Sequence, residues 1–125
     1  MFIKKINNCH EEDGTREFEA KIFDDEINGK EVGYLELLEK YDEDGDCEWL
    51  YVGTIEIHEA FRNQGRGTAV LRQLAEKYGK VYLCPMDADN ERLYARLGEE
   101  VKYYHVPENI KGCYDAFGKM FLIEA

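Results

Sequence analysis

The sequence predicts a mixed α/β (α+β) domain built on one central, mostly antiparallel sheet flanked by helices. Three observations carry that prediction. Phe18-Glu19-Ala20-Lys21-Ile22-Phe23 alternates apolar and polar residues as a half-buried strand does, and two more strand-like runs follow it. At Thr68 the apolar spacing changes to that of a helix. Val81-Tyr82-Leu83-Cys84 is then a short apolar run closed by Pro85, the pattern of a buried strand. Strands followed by helix, strand, helix and strand imply helices packed on one shared sheet.

Each element has its own signal. Asn28-Gly29 marks a hairpin, because both residues tolerate positive φ. The returning strand is expected over Glu31–Tyr41, with Val32, Tyr34 and Leu38 among its apolar residues. Asp42-Glu43-Asp44-Gly45-Asp46 reads as a second turn, and Glu48–His58 as a third strand rich in β-branched and aromatic residues. A helix is expected over Thr68–Lys80, with Val70, Leu71, Leu74 and Ala75 on its apolar face and Gly79 as its stop. Asp89 or Asn90 is positioned to cap a second helix through Leu97, ended by Gly98. The tail from Tyr114 to Glu124 reads as a last strand or strand pair. Residues 1–125 are expected to form a single domain.

Composition narrows the function. Sixteen basic residues against 27 acidic ones give a net charge of −11. Such a chain is a poor binder of nucleic acid, whose phosphates demand clustered Lys and Arg. No run approaches the ~20 apolar residues that span a membrane, and Met1–Asn8 lacks the apolar stretch of a secretory signal. Cys9, Cys47, Cys84 and Cys113 are scattered without a Cys-x-x-Cys pair or zinc spacing, so the expectation is no metal and reduced thiols in a cytoplasmic protein. The acidic Asp42–Glu48 turn fails as a calcium loop: with Gly45 at its sixth position, Lys40 and Tyr51 fall where ligands are required. Gly65-Arg66-Gly67 is no dinucleotide fingerprint, since the third glycine position is Val70.

The informative segment is Ile55 to Leu71, a strand, a short turn and a helix start with Gly65 and Gly67 at the junction. Free N–H groups at a helix N-terminus, helped by the helix dipole, receive an anion such as pyrophosphate. Glycine lets the ligand approach the backbone, and Arg62 and Arg66 add local positive charge.

Arg62-Asn63-Gln64-Gly65-Arg66-Gly67 resembles the Arg/Gln-x-x-Gly-x-Gly/Ala signature of the GNAT superfamily of acyl-CoA-dependent N-acetyltransferases. Asp89-Asn90-Glu91-Arg92-Leu93-Tyr94-Ala95-Arg96-Leu97-Gly98 is similar to that superfamily's second conserved region, in the right order and about twenty-five residues on. The resemblance implies a splayed strand pair: the strand ending at His58 and the strand Val81–Cys84 diverge and seat acetyl-CoA as co-substrate. It assigns the pantetheine to the strand carrying Ile55 and Ile57. The pyrophosphate falls to Gln64, Gly65, Arg66, Gly67 and Thr68, with Arg62 beside them and Asn90 as a further cofactor contact.

The resemblance also implies acetyl transfer to a primary amine by direct attack in a ternary complex. Tyr94 falls where many members place the acid that protonates the leaving thiolate. The base is open: where some members carry Glu or His, this chain has Tyr51 and Gly53. Glu36, Glu56 and His58 are the substitutes, and a water relay is an equal alternative. Strand alternation places Glu56 on the face opposite Tyr51, Gly53, Ile55 and Ile57. Glu99 stands where the family usually has phenylalanine. Only Met1–Glu17 precede the first clear strand, where members usually spend helices covering the acceptor, so an open acceptor cleft is expected. The acceptor class spans small amines, polyamines and protein lysines, and the family analogy admits a homodimer. The rival reading is a non-catalytic acyl-CoA-binding GNAT domain that regulates a partner protein.

Overall fold

A computed structural model describes the backbone of residues 1–125 and all side chains except those of residues 7–9. The chain runs β1 (Phe2–Glu12), β2 (Thr15–Asp24), β3 (Lys30–Tyr41), β4 (Cys47–Ile57), α1 (Arg66–Tyr78), β5 (Lys80–Leu83), α2 (Ala88–Leu97), β6 (Glu99–Glu100), α3 (Lys111–Phe117) and β7 (Phe121–Glu124). The strands form one seven-stranded sheet in the order β1-β2-β3-β4-β5-β7-β6. Every neighbouring pair is antiparallel except β4 and β5. The fold class expected from the sequence is the one observed.

The expected meander of three strands has four, because β1 precedes it. β1 turns into β2 through Asp13 and Gly14, both at positive φ (48° and 76°). No helix lies between these strands, so nothing from that connection covers the sheet. Asn28 and Gly29 both take positive φ, 62° and 67°, after a single 3-10 turn at Asp25–Ile27. The second helix is capped by Asp87, not by Asp89 or Asn90: its carboxylate accepts from the Asn90 amide at 2.8 Å. The tail also departs from expectation. Lys111–Phe117 is helical, and only Phe121–Glu124 is a strand.

Two cores result, one on each face of the sheet. Ile22, Leu35, Leu50 and Val52 pack under α1 through Val70, Leu71, Leu74 and Ala75, the residues expected from the helical spacing. Full burial of each large aliphatic side chain contributes about 2 kcal/mol. α2 adds Tyr94 to this same face, against Phe121 and Ile123. On the opposite face Trp49, Tyr51, Tyr82 and Cys84 meet Ile110, Met120 and the half-buried Cys113 and Tyr114.

Glu39 is a carboxylate buried within the α1 face, 3% exposed. Tyr41 and Tyr78 donate hydroxyl hydrogen bonds to it at 2.5 and 2.6 Å, and the Lys5 ammonium lies 3.4 Å away. One buried charge thus joins β1, β3 and the last residue of α1. Burial raises its pKa, but the two hydroxyls and the Lys5 charge outweigh that and hold it below the usual carboxylate range.

Candidate cofactor cleft and acyl-transfer site

β4 and β5 pair over three positions only: Leu50 with Val81, Tyr51 with Tyr82, and Val52 with Leu83. β5 then ends, while β4 continues to Ile57 along β3. Among the described residues, Gly53–Ile57 therefore have no strand partner on the β5 side. This is a cleft with one open backbone edge.

A bulge shapes that edge. Leu37 pairs with Val52 and Glu36 with Thr54, leaving Gly53 as the extra residue. The bulge overturns the simple alternation expected for this strand. Pairing places Tyr51, Thr54 and Glu56 on one face with Leu38, Glu36 and Tyr34. Ile55 and Ile57 lie on the other, packed against the α1 core. Glu56 thus shares a face with Tyr51 rather than opposing it. The missed signal was Gly53 itself, since a glycine inside a strand pattern marks a bulge.

At its far end β4 leads into the turn before α1. Gly65 takes φ 79°, and the first helical amide to find a backbone acceptor is that of Ala69, 3.0 Å from the Gly65 carbonyl. The amides of Arg66, Gly67 and Thr68 precede it in the first turn, where a helix leaves its N–H groups unpaired. No acidic residue lies in that turn, in a chain with 27 of them. A Cβ built at Gly67 meets no atom within 4 Å. Gly67 is not required by packing, and glycine costs roughly 0.5–1 kcal/mol in a helix. The residues fit an anionic ligand drawn close to the backbone.

The two arginines are turned to the protein itself. Arg66 Nε lies 2.7 Å from Asp24 Oδ2, and its Nη1 reaches the Phe61 carbonyl at 3.1 Å and Gln64 Oε1 at 2.5 Å. Arg62 Nε donates to the Ile57 carbonyl at 2.7 Å. Both fix the shape of the turn. Asn90 accepts from the Met86 amide at 3.3 Å, holding the loop between β5 and α2.

Tyr94 lies on α2, 4% exposed and edge-on to Phe121 with ring centroids 6.3 Å apart. Burial, aided by the charges of Asp87 and Cys84, pushes its pKa up to about 12. It therefore holds its proton at neutral pH. His58 follows the end of β4, with Nε2 3.1 Å from Glu31 Oε2. Glu36 and Glu56 are exposed on the face that α1 and α2 do not cover.

The family model described as "Acetyltransferase (GNAT) family" matches residues 4–98. The chain belongs to the GNAT acetyltransferase family. No curated protein sequence matches it significantly. Among solved structures, the GNAT fold is shared with N-acetylglutamate synthase from Neisseria gonorrhoeae complexed with coenzyme A and N-acetyl-glutamate, at TM-score 0.61 and 13% identity, over 85% of this chain and 25% of that one. The chain thus spans a quarter of that synthase. A GNAT-family acetyltransferase from Staphylococcus aureus Mu50 matches at TM-score 0.56 and 16% identity, over 89% of this chain and 68% of that one. A KacTA–DNA complex matches at TM-score 0.54 and 15% identity, over 92% of this chain and 70% of that one. These likenesses establish the fold.

Proposed function

We propose that this GNAT chain is an acetyl-CoA-dependent N-acetyltransferase that acylates a primary amine by direct transfer in a ternary complex. One observation carries the reading: the open edge of β4 leads, through the turn over residues 58–65, to a helix N-terminus with no acidic residue in its first turn, whose Gly67 leaves room against the backbone. The first element matches an extended amide chain and the second a pyrophosphate.

Acetyl-CoA supplies the activated thioester. The amides from Gln64 to Thr68 hold its pyrophosphate, within a turn braced by Arg62 and Arg66. The edge from Gly53 to Ile57, including the backbones of Ile55 and Ile57, pairs with the pantetheine as an added strand would. An amide of this edge, beside the Gly53 bulge, donates to the developing oxyanion. Tyr94 delivers its proton to the departing thiolate. Asn90 closes the cleft from the α2 side.

The amine enters from the face opposite α1 and α2, where Glu36 and Glu56 stand among exposed side chains. One of these carboxylates, or a water held by them, takes its proton. His58, held by Glu31, is the weakest of the three base candidates. The absence of any helix between β1 and β2 leaves this approach open. The proposal treats residues 1–125 as one domain acting in the cytoplasm on small amines, polyamines or protein lysines, with no metal in the chemistry drawn.

The exposure of both carboxylates favours a second reading, a non-catalytic acyl-CoA-binding domain that regulates a partner. Thiol release from acetyl-CoA, measured across a panel of small amines, polyamines and lysine peptides, separates the two. Acceptor-dependent release is expected. Binding of acetyl-CoA with no release for any acceptor would favour the second reading.

A further inference from the structure

The sheet has two edges, and they are built differently. β6 is two residues long, Glu99 and Glu100, both exposed and both acidic. A second copy laid against it meets like charge at once. β1 is eleven residues long, and its outer side has no strand partner among the described residues. An edge of that length presents a row of unpaired N–H and C=O groups. Phe2 and Ile6 stand on it, 50% and 43% exposed.

β1 also divides by charge. Lys4 and Lys5 lie near its start and Glu11 and Glu12 at its end, all four exposed. The strand is therefore neutral within a chain of net charge −11. Lysines on an edge normally guard against pairing, but here the same strand carries their counter-charges.

We propose that the outer edge of β1 is a self-recognition surface, on which a second copy of this chain pairs antiparallel, β1 to β1, with Lys4 against Glu12 of the second copy and Lys5 against its Glu11.

The faces of the strand allow this register. Directly opposite residues in an antiparallel pair project from the same face of the sheet. Lys4 pairs with Lys21 and Glu12 with Thr15, an even number of residues apart on β2, so both lie on one face. Lys5 pairs with Ala20 and Glu11 with Arg16, again an even spacing, on the other face. The irregularities between Lys5 and Asn7 and between Asn8 and His10 offset each other, which keeps the faces in step along the strand. A two-fold axis repeats each contact, as a self-complementary interface requires. Lys5 reaches toward Glu39 and Glu11 toward Arg16 within the chain, and both stay exposed to a further partner.

Sedimentation velocity of the full chain over a concentration series tests this, since a contact one strand wide belongs with small, transient interfaces. The wild type is expected to form a concentration-dependent dimer. Lys4→Glu and Glu12→Lys, each checked for an unchanged circular dichroism spectrum, are expected to weaken it about tenfold, because opposite-charge pairs become like-charge pairs. An equimolar mixture of the two variants should restore the dimer, since each reversed charge then faces its complement. A wild type that stays monomeric up to about 1 mM, a dimer whose affinity ignores both reversals, or a mixture no tighter than its components would overturn the proposal. No acetyl-CoA or acceptor enters the measurement, so its outcome stands apart from the functional reading.

Discussion

Arg66 and Asp24 form a nearly buried ion pair, Nε to Oδ2 at 2.7 Å, with side chains 12% and 7% exposed. It ties the first turn of α1 to the end of β2, so the candidate phosphate turn is braced from the far side of the β2–β3 hairpin. The Arg66 hydrogen bond, then the Glu26 amide, hold the Asp24 carboxyl below its ordinary range. Asp24→Asn is expected to lower the chemical-denaturation midpoint more than Asp89→Asn does. The Asp89 pair with Arg92 is exposed, and such pairs contribute little. An equal effect of both substitutions would remove the bracing role.

Glu39 sets the acid limb of stability. Its folded pKa is depressed, so its contribution is complete above the unfolded carboxylate range and is lost as pH falls through the folded value. Melting temperature measured from neutral to acid pH should therefore fall less steeply in Glu39→Gln than in wild type. Glu39→Ala is expected to cost about 2 kcal/mol or more at neutral pH, because the Tyr41 and Tyr78 hydroxyls lose their buried acceptor.

Gly98 is fixed by close approach. A Cβ there would run into the Leu122 carbonyl across the sheet. Gly98→Ala is expected to destabilise by about 1–3 kcal/mol. Gly112→Ala, where a Cβ meets nothing within 4 Å, should be close to neutral in the same denaturation assay.

Tyr94→Phe keeps the ring against Phe121 and removes only the hydroxyl. Turnover is expected to fall about 100-fold, with acetyl-CoA affinity nearly unchanged. With its pKa raised to about 12, Tyr94 in the wild type should give no alkaline loss of kcat near pH ~10, the ordinary tyrosine value. Unchanged turnover in Tyr94→Phe would assign the hydroxyl to packing.

Much of this was legible from local sequence. The α1 core residues followed from helical spacing, the hairpin from Asn28-Gly29, and the phosphate turn from Gly65 and Gly67. What was not legible depends on partners distant in sequence. β1 carries mostly polar residues, so no alternation announced it, and it forms by pairing with β2. Lys111–Phe117 has a glycine and two aromatics in seven residues, a weak helical signal, and tertiary packing decides its state. Arg66 looked like a phosphate ligand until Asp24, forty-two positions away, came within reach. The Gly53 bulge reversed the faces of everything after it, which is why Glu56 was assigned to the wrong side.

The measurement that bears most directly on the cofactor cleft is calorimetric titration of acetyl-CoA into wild type and Gly67→Glu. A Cβ there meets no atom within 4 Å, and the substitution replaces glycine in a helix and adds negative charge at a helix N-terminus, so folding stability should hold or rise. The same charge repels a pyrophosphate. The account predicts micromolar binding by the wild type and at least about tenfold weaker binding by Gly67→Glu, a loss of roughly 1.4 kcal/mol, at undiminished stability. Equal affinity in both proteins, or no binding by a folded wild type, would contradict it.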